Sequence, residues 1–175
     1  VTIMNAFISL ARARYSVRKF KDAPISEESL HRILVAGQLA PTACNNQAVH
    51  VYVLKSADAR AKVAGLTKYG FNAPVILCVC AETDRTWKNP LEDGITSAEQ
   101  DAAIVATHMM LAAWEEGIGS CWVGYFPPSK LAEALGLAQN HKPVLLMPMG
   151  YPAEDAAPSP LHEKTRSLDE LVTTL

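Results

Sequence analysis

The segment Arg14-Tyr15-Ser16-Val17-Arg18 alternates two guanidiniums and a hydroxyl at a spacing of two residues. In an extended backbone, residues two apart point to the same side. Arg14, Ser16 and Arg18 would then form one edge of a cradle for a phosphate and a polyol. A second polar stretch, Pro41-Thr42-Ala43-Cys44-Asn45-Asn46-Gln47, is dense in hydroxyl and amide groups and reads as a turn between a helix and a strand. Lys164-Thr165-Arg166 adds two more cations, again two apart.

The first basic cluster admits three readings. Arg12, Arg14, Arg18, Lys19 and Lys21 fall within ten residues, and no acid appears before Asp22. This pattern suits a solvated helix C-terminus, an Arg-rich transit peptide without acids, or a phosphate site. Composition narrows the partners. Sixteen basic against eighteen acidic residues give a net charge of -2, which lacks the field of a nucleic-acid binder. The longest purely apolar run, 73–81, is about half of what a membrane helix needs, so no membrane partner is expected. Cysteines at 44, 78, 80 and 121 do not form a disulfide framework, and Cys78 and Cys80 on one strand face are too far apart for an unstrained bridge. The expectation is a reduced cytoplasmic protein.

Other chemistries lack their motifs. There is no G-x-G-x-x-G, no phosphate loop ending in Gly-Lys-Ser/Thr, no H-E-x-x-H and no paired C-x-x-C. The histidines at 31, 50, 108, 141 and 162 are scattered, and no metal site is expected. His108, within an Ala/Met-rich helix, reads as a hydrogen-bonded core residue rather than a ligand. Cys44 could serve as a nucleophile, but no basic partner lies near it in sequence. The motif search therefore ends without a catalytic side chain.

The elements that must position these groups follow from periodicity and caps. At 175 residues and 49% hydrophobic, the chain reads as a single domain, 1–175, able to bury roughly 70% of its unfolded surface. Apolar spacing predicts a helix over 2–13. Ser26 as N-cap, with Ile25 and Leu30 as a hydrophobic staple, predicts a helix to about Ala40, before Pro41. Strands are expected at 49–54, 74–80, 119–126 and 144–149, with the second covered on both faces. Ser56 caps a short helix ending near Gly65, and Pro128-Ser129 starts another that stops at Gly136. Residues 82–95 read as a loop or lid. Ser97 and Gln100 read as a capping box for a long helix ending at Gly117, with Ala103, Ala106, Met110 and Ala113 on one face. Residues 152–160 read as extended, and Ser167 with Glu170 as a capping box for a helix ending at Leu175. The fold class is α+β.

Taken in order, these segments resemble the flavin-dependent nitroreductase family, in its short single-domain form. The resemblance rests on Arg14-x-Ser16-x-Arg18-x-Phe20 and Ala40-Pro41-Thr42-x-x-Asn45-x-Gln47. It continues through Asn72-Ala73-Pro74, Gly117-Ile118-Gly119-Ser120-Cys121-Trp122-Val123-Gly124, Gly150-Tyr151-Pro152 and Lys164-x-Arg166. It implies a central mixed or antiparallel sheet surrounded by helices, and an FMN-binding homodimer with two flavins at the interface. Arg14, Ser16 and Arg18, with Tyr15 between them, would hold phosphate, ribityl chain and pyrimidine edge, and Lys164 and Arg166 would complete the phosphate site. Pro41, Thr42, Ala43, Cys44, Asn45 and Gln47 would belong to the turn that reaches the flavin from the partner subunit. Trp122, Val123 and Gly124 would pass along one ring face and bring a backbone N–H near the flavin N5. Departures from the family pattern are Ala48, Val49 and Cys44, which bear on the rim of the pocket and not on flavin binding.

The implied activity is NADH- or NADPH-dependent reduction of nitro compounds, quinones or similar small acceptors in a ping-pong cycle. The flavin carries the hydride chemistry, which accounts for the empty search for a catalytic residue. The alternatives are a flavin enzyme with a specialised substrate that is not a nitro compound, and a flavin-binding protein without activity.

Overall fold

The apolar run at 74–80 becomes β2 (Val75–Glu82), with seven of its eight residues buried. β2 lies between β1 (Val49–Leu54) and β4 (His141–Gly150), and β3 (Gly119–Ser120) completes a four-stranded sheet in the order β1-β2-β4-β3. Every strand pairing is antiparallel. The structure, a computed structural model, describes residues 6–175.

Alternation along β2 divides the core. Val75, Leu77 and Val79 pack with Leu30 and Ile33 of α2 (Glu27–Gln38) and with Ala102, Ala106 and Met109 of α4 (Ala98–Glu115). Ile76, Cys78 and Cys80 face the other way, toward Val63 of α3 (Ala57–Ala64) and Leu131 of α5 (Pro128–Leu135). A strand walled by helices on both faces must be apolar throughout, which is what the run shows. Cys78 and Cys80 remain thiols with sulfurs 3.7 Å apart, and hydrogen bonding between them together with burial pushes the Cys78 thiol up.

α2 begins as its cap predicts: the Ser26 hydroxyl accepts the Ser29 N–H at 3.0 Å, and Ile25 and Leu30 are both buried in one cluster. It crosses α4 closely at Gly37, where a Cβ would lie 2.7 Å from Met109 Cγ. α1 (Ala6–Ala13) accounts for most of the helix expected at 2–13, and residues 2–5 of that expectation lie outside the described residues.

Several expectations are corrected. Ser97 caps nothing with its side chain; its hydroxyl donates to Asp101 Oδ2 at 2.7 Å, and the capping box with Gln100 does not form. The buried face of α4 is Ala102, Val105, Ala106, Met109 and Ala113, while Ala103 and Met110 are only partly covered. His108 is exposed and not in the core. The strand expected over 119–126 shortens to Gly119–Ser120, because Cys121 donates to the Pro148 carbonyl at 3.1 Å and Pro148 has no N–H to return. Pairing resumes at Val123, which exchanges both backbone bonds with Leu146 at 2.9 Å. α6 (Leu168–Leu171) has the predicted capping box but stops after four residues, as the β-branched run Val172-Thr173-Thr174 begins in extended backbone. Among the described residues, no helix is long and apolar enough to cross a membrane.

Candidate flavin site

The Arg14–Arg18 segment is laid against β3. Val17, fully buried, donates its N–H to the Ser120 carbonyl at 2.9 Å, and Ser16 bridges Ser120 in parallel. Farther on, Lys21 donates to Tyr151 at 2.8 Å and Ala153 donates to Lys19 at 3.0 Å. The extended segment is therefore held from both sides. This closeness needs glycine at 119, where a Cβ would fall 2.4 Å from Val17 Cγ2.

With Val17 turned inward, Arg14 and Ser16 are half-buried and Arg18 is exposed. All three bear electrostatically on the Cys121 thiol. Burial pushes that thiol up, while the Arg18 and Arg14 charges and contacts from Ser16 and Arg18 pull against it. Burial prevails, so the Cys121 thiol adds no negative charge beside the guanidiniums. Among the described residues neither Arg14 nor Arg18 has an acidic partner, whereas neighbouring Lys19 is paired with Asp155. The Tyr15 hydroxyl points to the Ala156 carbonyl at 3.5 Å and its ring packs edge-on against Trp114, centroids 5.2 Å apart.

Two grooves run beside the segment. Ser16 and Arg18 line one with Asp155, Ala156 and Ser159. Arg14 lines the other with Arg12, His162, Glu163 and Thr165, which brings the 162–165 segment, with one acid, alongside the first cations. Lys164 is exposed there, and Arg166 donates to the Glu170 carbonyl at 3.0 Å, across its own short helix.

The strip after β3 presents an alternating face. Val123 is buried and commits both backbone groups to Leu146, so the N–H groups of Trp122 and Gly124 point away from β4. Trp122 is 45% exposed beside them. Unpaired guanidiniums, a hydroxyl, outward peptide N–H groups and a flat aromatic form a donor set suited to a phosphorylated, carbonyl-rich ring system.

The 41–47 turn is strained and tightly tied. Cys44, Asn45 and Gln47 all have φ of 50 to 52°, a left-handed geometry that costs about 1–2 kcal/mol for each side-chain-bearing residue. Offsetting bonds run from Gln47 N–H to Thr42 Oγ1 at 3.0 Å, Asn45 N–H to the Thr42 carbonyl at 2.9 Å, and Ala43 N–H to Asp101 Oδ1 at 3.0 Å. Asp101 is buried, and sequence reasoning missed it, since an acid in a helix's first turn reads as dipole compensation. Pro41, Cys44, Asn45 and Gln47 are exposed. Among the described residues, no hydrogen bond or ion pair joins this turn to the Arg14–Arg18 segment.

A family model described as the nitroreductase family matches residues 11–70 and 66–151. The chain belongs to the nitroreductase family. A relative from Archaeoglobus fulgidus, named as an NADH dehydrogenase/NAD(P)H nitroreductase, is 30% identical over 87% of this chain and 88% of its own length. Among solved structures, a nitroreductase family protein from Clostridium difficile 630 superposes with a TM-score of 0.88 at 35% identity, over 97% of this chain and 99% of the other. A protein from Desulfovibrio desulfuricans, described as a nitroreductase in complex with FMN, matches with a TM-score of 0.83 at 28% identity, over 98% and 97% of the two chains. As a nitroreductase-family chain, this protein has the sheet and helix arrangement that the resemblance implied, and the sheet is antiparallel.

Proposed function

We propose that this chain is an FMN-dependent oxidoreductase that draws electrons from NADH or NADPH and passes them to a small acceptor such as a nitro compound or a quinone. The seating of the Arg14–Arg18 segment against β3, with guanidiniums that have no acidic partner among the described residues, carries the reading. The FMN complex of the Desulfovibrio desulfuricans relative and the NAD(P)H named for the Archaeoglobus fulgidus relative support it. When bound, FMN supplies hydride and electron transfer at its ring. The chain's own work is to bind and orient. Arg14 and Arg18 would neutralise phosphate and ring charge, Ser16 would bond the polyol between them, and Lys164 and Arg166 would add positive charge on the phosphate side. Trp122 and Gly124 offer peptide N–H groups to the ring edge, and no side-chain nucleophile is required. A single ring face left open to donor and acceptor in turn would give a ping-pong order.

The reading extends to a homodimer. The 41–47 turn is rigid, exposed and unattached to its own chain's Arg14–Arg18 segment, and in a dimer it would cover the site of the partner. Exposed apolar side chains at Phe7, Leu39 and Ile104 supply surface for such an association.

The deciding experiment is spectroscopic. Purified protein should be yellow or take up added FMN, and without air NADH or NADPH should bleach it. Failure to bind FMN overturns the proposal, and a flavin that neither nucleotide bleaches favours a binding protein without activity.

A further inference from the structure

Three strands bring ligand-type side chains to one end of the sheet. His50 is the second residue of β1, Glu82 the last of β2 and His141 the first of β4. Glu82 lies directly opposite His141, and His50 lies opposite Cys80, two residues along β2 on the same face. The register depends on a bulge between Val79 and Cys80. Val79 pairs with Leu145 and Cys80 with Pro143, so one residue of β4 is passed over. Without that shift Glu82 would face Lys142, and the set would hold a cation in place of an imidazole.

The three side chains are already close and individually oriented. One ligand atom from each lies within 4.8 Å of the others, and His50 Nδ1 stands 3.9 Å from Glu82 Oε1. The two imidazoles stack with centroids 4.4 Å apart. Tyr52 hydrogen-bonds His141 Nδ1 at 2.7 Å, which leaves Nε2 as the ligand atom. Arg85 donates to Glu82 Oε2 at 3.2 Å, which leaves Oε1 directed at His50. Tyr52 and Arg85 thus act as outer partners that fix the ligands' orientation, an arrangement usual around bound metals.

We propose that His50, Glu82 and His141 form a site for a divalent transition metal of the zinc class. Two imidazoles and one carboxylate are a borderline-hard donor set that suits zinc over calcium or magnesium. Tetrahedral ligand atoms around zinc stand about 3.4 Å apart, so side-chain rotations alone close the set, with the fourth position left to water. Arg85 places a cation on the far oxygen of Glu82, and the Asp84 carboxylate accepts from the Asn140 amide at 2.8 Å nearby. The site is separate from the Arg14–Arg18 cradle. His141 opens β4, whereas Ser120 pairs with Met149 near its other end, on the order of 26 Å away along an extended strand.

The test uses untagged full-length protein freed of metal by a chelator, titrated with zinc chloride against a chromophoric competitor. The expected result is one zinc per chain at ~10 µM free metal and a higher unfolding temperature in the presence of zinc. His141→Gln and Glu82→Gln should each weaken binding at least tenfold and lose the thermal shift, with circular dichroism unchanged. Cys44→Ser, which removes the exposed thiol, should bind as the unaltered chain does. No binding in this range, binding that survives both ligand substitutions, or binding lost in Cys44→Ser would each overturn the proposal.

Discussion

The Asp101 carboxylate accepts the backbone N–H of Ala43 at 3.0 Å, tying the long central helix to the turn that carries Thr42, Cys44 and Asn45. Its other oxygen accepts the Ser97 hydroxyl at 2.7 Å, and Ser97 Oγ lies 3.3 Å from Thr86 Oγ1. One buried side chain therefore holds the strained turn, the start of α4 and, through Ser97, Thr86 near the beginning of the 82–95 segment together. Strain of this kind persists only where surrounding bonds over-determine it.

Asp101→Ala should therefore cost stability and turn geometry at once. It strands the Ala43 N–H and leaves the Ser97 hydroxyl only the longer contact to Thr86, and a buried unsatisfied group costs about 1–3 kcal/mol. Urea unfolding should show a loss of about 2–4 kcal/mol, and Asp101→Asn, which keeps an acceptor for Ala43, should recover part of it. An unchanged urea midpoint in the alanine variant would remove Asp101 from this role.

Gly119→Ala tests the close seating of the Arg14–Arg18 segment. The new methyl would overlap Val17 at 2.4 Å, and Val17 cannot retreat because it is fully buried and its N–H is bonded to Ser120. The segment must shift, at a cost of about 1–3 kcal/mol, and the shift moves Ser16 and both guanidiniums. FMN affinity measured by flavin fluorescence should fall along with the melting temperature. A loss of stability with affinity intact would show that the cradle does not depend on this contact.

Much of the fold is legible in the sequence where the signal is local. Ser26 and its staple mark α2, the unbroken apolar run marks β2, and Ser167 with Glu170 marks α6, because each depends on residues a few positions apart. Ser97 carries the same local pattern as Ser26 and behaves differently, since Asp101 competes for its hydroxyl. The end of β3 is decided by Pro148, a missing donor on a strand distant in sequence. The extended course of the Arg14–Arg18 segment is readable from its alternation. Asp101 and Cys121 are not, because nothing near them reports which distant groups they meet. The gathering of His50, Glu82 and His141 depends on a one-residue bulge that no periodicity discloses.

The acid limb of stability should depend on Glu116. Hydrogen bonds from Arg32 and Ser29, together with the Arg32 charge, hold the Glu116 carboxyl below the usual carboxylate range, and the pair joins α2 to the end of α4. A depressed native value means that the stabilisation is complete above the unfolded value, about 4.3, and is lost as pH falls through the native one. Melting temperature should fall from pH 5 to pH 3 more steeply in the unaltered chain than in Glu116→Gln. The variant should keep a residual slope from Asp84 and Asp155, which are lowered mainly by their bonds to Asn140 and Lys19. Parallel curves would exclude Glu116 as a contributor.

Arg18→Ala separates binding from folding most directly. The Arg18 side chain is exposed, has no acidic partner among the described residues and bonds only the Ser16 carbonyl, at 3.3 Å. Removing such a surface group changes folding stability by about 0.5 kcal/mol or less. Its charge-assisted bonds to bound FMN should be worth about 1.5–3 kcal/mol, or roughly 10- to 150-fold in Kd. Arg18→Lys keeps the charge and loses the planar fork, so its affinity should fall between the two. Raising salt should weaken FMN binding more in the unaltered chain than in the alanine variant, since part of the lost energy is screened charge. Flavin retention in Arg18→Ala equal to that of the unaltered chain, with equal salt dependence, would place the phosphate and ring edge elsewhere.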